Sequence, residues 1–146
     1  MRISIDEVMM EIAVSISKRS TCSRRQVGCI LTNELNHVIA TGYNGVPRGL
    51  PHCIDTPCEG ATSSSGTDLD KCQAVHGEQN AILQCRDTEA IYTAYCTTQP
   101  CITCIKLLLN TGCKRIVYKE SYPHEQALIL WIKSGRTITQ LNSDNS

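Results

Sequence analysis

The feature that most limits the fold lies in the second half of the chain, where three runs of strand character are separated by two helical stretches. "IYTAYCT" (91–97), "KRIVYK" (114–119) and "RTITQL" (136–141) are rich in β-branched and aromatic residues. Between the first two stands "CITCIKLLLNTG", a helix closed by Gly112; between the last two a helix spans about 123–134 and ends at "SG". Strands that alternate with helices join through crossovers and run parallel. The first half has a different rhythm. "QVGCILT" (26–32) and "HVIATGY" (37–43) are separated only by the polar "NELN", which predicts an antiparallel hairpin. Ile5, Val8, Met9, Ile12 and Ile16 give an amphipathic helix over 5–19, and another helix is expected from 73 to about Arg86. The sum is one α/β domain of 146 residues in three layers, α/β/α, around a mixed five-stranded sheet whose last strands are parallel.

Charge narrows the partners. Fourteen basic and fourteen acidic residues balance, and no lysine–arginine run occurs, so the footprint of a nucleic-acid binder is missing and a small ligand is the better fit. The N-terminus lacks a signal-peptide core and no apolar stretch reaches membrane-spanning length, which gives a cytoplasmic expectation with no membrane partner. Ten cysteines in a reducing compartment are buried small hydrophobes, metal ligands or catalytic thiols rather than disulfides. Cys29, Cys85, Cys96 and Cys113 lie in or beside apolar runs and are expected to be core residues. Residues 44–72, with "NGVPRGLP" and "GATSSSGT", are expected to form a long, mobile, functional loop, and 142–146 a frayed tail.

The chemistry concentrates in two short stretches. "VHGEQNAI" places His76 two residues before Glu78 at a helix start, and "QPCITC" places Cys101 and Cys104 at i and i+3 on another first turn, just after Pro100. Thiolates at a helix N-terminus feel its positive dipole, which suits them to a metal. Alone, the cysteine pair is compatible with a redox site or half of a structural zinc site. In the order His-x-Glu then Pro-Cys-x-x-Cys, with 21 residues between Glu78 and Pro100, the pattern is that of zinc nucleobase deaminases. His76, Cys101 and Cys104 give zinc three protein ligands and leave the fourth position for water, as catalytic sites require. Glu78 is then the proton shuttle. The competing reading is a structural zinc with Glu78 as a solvated helix residue.

Together with "CSRRQVGCI", "ATGYNGVPRGLPHC" and "RIVYKESY", these motifs make nearly the whole chain resemble the cytidine and deoxycytidylate deaminase superfamily, and within it the deoxycytidylate (dCMP) deaminases. "TGYNG" and "GLPHC" separate it from tRNA adenosine deaminases and free-nucleoside cytidine deaminases; Gly77, where the family usually has alanine or valine, is a departure. The resemblance implies a cytidine-deaminase-like fold, hydrolysis of dCMP to dUMP and ammonia for thymidylate synthesis, and a homohexamer. It also implies activation by dCTP with Mg2+ and inhibition by dTTP. It implies Asn44 at the deoxyribose and Arg24 with Tyr122 at the phosphate. The local alternatives are a turn asparagine, a solvated loop charge and a half-buried strand-end aromatic.

Two further groups remain open. Cys22, Cys53, Cys58 and Cys72 lie around the long insertion and together could close a second, structural zinc site, with His52 able to replace one thiol; the alternative is four unconnected thiols. In "GYNGVPRG", Gly42, Tyr43, Asn44, Gly45 and Arg48 are candidates for an allosteric nucleotide site, because glycines let backbone N–H groups turn toward phosphates and Arg48 adds charge; the alternative is a structural turn. The competing functions are a deaminase of another nucleobase and an inert zinc-stabilised binding module, for which an intact Glu78 has no use.

Overall fold

The computed structural model of the chain describes residues 1–22, 25–52 and 74–142. Helix α1 (Ile5–Ser17) starts where Ser4 Oγ accepts the Glu7 N–H, with Asp6 and Glu7 at the positive end of the helix. Strands β1 (Gly28–Thr32) and β2 (Val38–Tyr43) pair antiparallel as the expected hairpin. Their turn closes because Asn33 Oδ1 accepts the N–H groups of Leu35 and His37, while Asn36 adopts a φ of 64° that asparagine tolerates. There follow α2 (Gly77–Gln84), a short 3-10 turn (Thr88–Ala90), β3 (Thr93–Thr98), α3 (Ile102–Leu109), β4 (Arg115–Glu120), α4 (Glu125–Lys133) and β5 (Thr137–Gln140).

The sheet order is β2-β1-β3-β4-β5, with β1 antiparallel to both neighbours and β3, β4 and β5 parallel. Two successive crossovers stepping the same way across the sheet leave α3 and α4 on one face. There Ala81 of α2, Ile105 and Leu108 of α3, and Ala127 and Trp131 of α4 share a core with Leu31, Cys96 and Ile116. On the other face α1 packs Met9, Met10 and Ala13 against Ile30, Tyr95 and Val117. Strands β1 and β3, covered on both sides, are buried along their whole length, which is why their sequences lack polar alternation.

Two local expectations are corrected. Helix α2 begins at Gly77 rather than 73, because Val75 is extended and exchanges two backbone hydrogen bonds with Gly45 (2.7 and 3.1 Å). Gly112 does not close α3: Asn110 caps that helix, and Gly112 packs against the Glu89 carbonyl while its N–H donates to Thr88 O at 3.0 Å. At the end of α4, Gly135 does take the left-handed conformation, with φ 86°. Arg24, Cys53, Cys58, Cys72 and residues 143–146 lie outside the described residues.

Pairings Gly28–Tyr43, Cys29–Cys96 and Thr98–Glu120 bring the start of β1 and the ends of β2, β3 and β4 to one edge of the sheet. In such folds ligands bind beyond strand ends.

Candidate active site

Both motif helices start at this edge, and each begins on a candidate ligand. His76 is the N-cap of α2; its N–H donates to Gln79 Oε1 at 2.9 Å and its carbonyl accepts the Asn80 N–H at 2.9 Å. Cys101 is the N-cap of α3 and its carbonyl accepts the Ile105 N–H at 2.9 Å. Cys104 follows on the first turn, fully buried. His76 Nδ1 lies 3.3 Å from Cys104 Sγ and 3.4 Å from Cys101 Sγ, and the three donor atoms are within 4.8 Å of one another. A tetrahedral zinc with bonds of about 2.3 Å to sulfur and about 2.05 Å to nitrogen needs an N···S edge of about 3.6 Å, so the set fits that metal. Among the described residues no fourth protein donor joins the group, which leaves one coordination position open.

The protonation pattern follows from the packing. The hydrogen bond from Cys104 holds the Cys101 thiol down at about 4, and His76 adds to the effect. The same hydrogen bond, with burial, pushes Cys104 up, so the pair shares one proton. The neighbouring Cys101 raises His76. Ligand sulfurs bind as thiolates, so a cation here would displace the shared proton. Glu78, 3% exposed, is raised above the usual carboxylate range by burial, an effect that its hydrogen bond with Cys104 and the charge of His76 partly offset.

The rim collects several polar groups. Asn44 is buried: its Oδ1 accepts the Val27 N–H at 2.8 Å and its Nδ2 donates to Arg25 O at 2.7 Å, so the amide clamps the lead-in to β1. One amide hydrogen and one lone pair remain for a hydroxyl group. Tyr122 carries the Arg25 guanidinium over its ring at 5.1 Å and stacks on His124 with centroids 5.1 Å apart. Arg24, named with Tyr122 for the phosphate, lies outside the described residues, and its neighbour Arg25 is the guanidinium seen at Tyr122.

The donors expected of the 42–49 segment are largely engaged inside the protein. The N–H groups of Asn44, Gly45 and Val46 donate to Val27 O, Val75 O and Thr21 Oγ1, each at 3.1 Å. Gly42 faces α2, where a Cβ would overlap Gly77 O and Ala81 N, and the Tyr43 carbonyl accepts Asn80 Nδ2 at 2.9 Å. What the segment still offers is Arg48 beside Gly49, whose φ is 92°, in a turn closed by Leu50 N–H to Pro47 O at 3.2 Å.

Cys22 is buried, with its N–H on Ser20 Oγ at 3.2 Å, while its three suggested partners fall outside the described residues. Cys29, Cys96 and Cys113 are fully buried core thiols, and Cys85 is half-buried against the core. Sequence reasoning missed Gln79 and Asn80, which hold the His76 turn, Thr97, whose hydroxyl accepts the Gly28 N–H, and Gln99, whose amide donates to His124 O. Their trace was the polar runs "EQN" and "TTQ" on either side of buried ligands.

A family model described as the cytidine and deoxycytidylate deaminase zinc-binding region matches residues 3–120. The chain is 43% identical over 125 residues to a deoxycytidylate deaminase of Schizosaccharomyces pombe, covering 83% of this chain and 38% of that protein. The chain thus spans well under half the length of that relative. A deoxycytidylate deaminase of Mycobacterium phage D29 is 38% identical over 123 residues, 80% of this chain and 95% of the phage protein. In structure the chain is similar to the dCMP deaminase of cyanophage S-TIM5, solved with dCMP and dUMP, with a TM-score of 0.74 and 24% identity over 97% of this chain and 99% of that one. That likeness is one of fold.

Proposed function

Because this chain belongs to the cytidine and deoxycytidylate deaminase family, we propose that it hydrolyses dCMP to dUMP and ammonia at the site built from His76, Cys101, Cys104 and Glu78. The observation that carries the reading is the convergence of three metal donors within 4.8 Å beside the buried Glu78 carboxyl. A zinc ion held there supplies Lewis acidity, which lowers the pKa of water from about 16 toward about 7. Glu78 takes a proton from the attacking water as its oxygen adds to the ring carbon bearing the amino group. The same carboxyl delivers that proton to the adjacent ring nitrogen. It then carries the second proton to the departing amino group, so that dCMP and water become dUMP and ammonia. Burial suits Glu78 to this cycle, since a raised pKa brings acid and base forms closer to working pH.

Arg24 and Tyr122 would hold the 5′-phosphate and Asn44 the deoxyribose; the placement of Tyr122 and Asn44 at the sheet edge supports these roles. The product serves thymidylate synthesis in the cytoplasm, and the enzyme assembles as a homohexamer. It is activated by dCTP with Mg2+ and inhibited by dTTP, with Arg48 and the turn after it as the charged part of the effector site. Among the described residues no helix is long and apolar enough to cross a membrane.

The test is an ultraviolet assay of zinc-loaded protein with dCMP, deoxycytidine, CMP and adenosine side by side. dCMP should be preferred, and deoxycytidine should lose about 2–4 kcal/mol of transition-state binding with its phosphate. Equal specificity constants for the two would refute the reading. Saturation curves with each effector test the regulation separately.

A further inference from the structure

Gln99 stands two residues before Cys101 and is 4% exposed, so its amide needs a partner. Its Nε2 donates to His124 O at 3.1 Å. That oxygen belongs to the loop after β4, where the His124 N–H donates to Tyr122 O at 2.7 Å and the imidazole stacks on the Tyr122 ring. Arg25 lies over the same ring. A connected set of contacts therefore runs from the turn that carries Cys101 to the aromatic ring at the rim.

The backbone of that turn is fixed independently of the Gln99 side chain. Thr98 pairs with Glu120 in the parallel ladder, and the Gln99 N–H donates to Glu120 O at 2.8 Å. Removing the amide leaves Cys101 where it is and frees the 121–124 loop.

We infer that Gln99 is a positioning residue: it holds the 121–124 loop so that Tyr122 meets the substrate phosphate, and it sets affinity for the phosphate end without touching the reacting atoms. The inference rests on the dCMP reading, in which Tyr122 lies at the phosphate. The experiment compares zinc-loaded wild type, Gln99→Met, which keeps the side-chain volume and loses the donor, and Gln99→Glu, which sets an acceptor against the His124 carbonyl. Each is assayed with dCMP and with deoxycytidine, and its zinc content is measured. Both variants should raise KM for dCMP about tenfold, keep kcat within about twofold, and leave kcat/KM for deoxycytidine and the zinc content as in wild type. Wild-type KM in both variants would overturn the inference, as would zinc loss or an equal loss on both substrates, since either would mean support of the whole site. A wild type indifferent to the phosphate would instead overturn the dCMP reading itself, and is seen before any variant is made.

Discussion

A carboxyl held at 3% exposure beside two thiols costs stability, and a protein that only needed zinc for support would gain by losing it. Glu78→Gln keeps the shape and removes the proton-carrying oxygen. Zinc content should be unchanged while turnover falls by at least about 10²-fold, the usual scale of general acid–base catalysis. His76→Ala and Cys101→Ala should instead lose metal and activity together; elemental analysis beside the assay separates the two outcomes. Asn44 requires a different test because its amide already bridges Val27 and Arg25. Asn44→Ala leaves a buried N–H and a carbonyl without partners, so it should lower stability by about 1–3 kcal/mol and raise KM for dCMP and deoxycytidine alike. A side chain that served the sugar alone would leave the urea midpoint where it was.

Elements are located by contacts that allow little substitution. Strand β2 and helix α2 touch backbone to backbone at Gly42, and a methyl group there would meet Gly77 O and Ala81 N. Gly42→Ala should push α2 off the sheet and take His76 and Glu78 with it, so weakened zinc binding should accompany a drop in thermal midpoint. On the opposite face, Asp6 at the start of α1 receives both Arg115 guanidinium nitrogens (3.2 and 2.9 Å) and the Tyr95 hydroxyl (2.7 Å), which ties the helix to β3 and β4. Burial raises the Asp6 pKa, but the hydrogen bonds from Arg115 and Tyr95 outweigh it and leave a net depression below the reference 3.8. A depressed folded pKa gives stability that is present above the unfolded value and is lost as pH falls through the folded one. Asp6→Asn should therefore lower stability by up to about 1 kcal/mol at neutral pH, with the difference closing below pH 3.8. A constant gap in melting temperature down to pH 2 would refute that assignment.

At the scale of the whole molecule, what the sequence made legible was whatever local pattern controls: the hairpin at "NELN", the crossovers of the last three strands, and the metal donors, which lie on helix N-caps and a first helical turn whose backbone geometry is stereotyped. What escaped was set by distant pairing. The start of α2 depends on Val75 meeting Gly45, and Arg25 lies over Tyr122 from a segment before β1 whose backbone Asn44 clamps. The same segment leads to the last prediction. Thr21 is sewn to the residues after β2, its N–H donating to Asn44 O at 3.3 Å and its hydroxyl accepting the Val46 N–H at 3.1 Å, and Cys22 follows it into a buried position. A second zinc on Cys22, Cys53, Cys58 and Cys72 would join this connection to the 53–72 segment, closing a long stretch of chain without touching His76. Metal-replete protein should then contain about two zinc ions per chain. Cys22→Ser and Cys58→Ser should each reduce that to about one, lower the thermal midpoint and leave turnover at saturating dCMP near wild type, because such ligands hold backbone rather than substrate. One zinc per chain in the unmutated protein would return the four cysteines to ordinary thiols, and loss of activity in step with the second zinc would mean that the 53–72 segment shapes the active site after all.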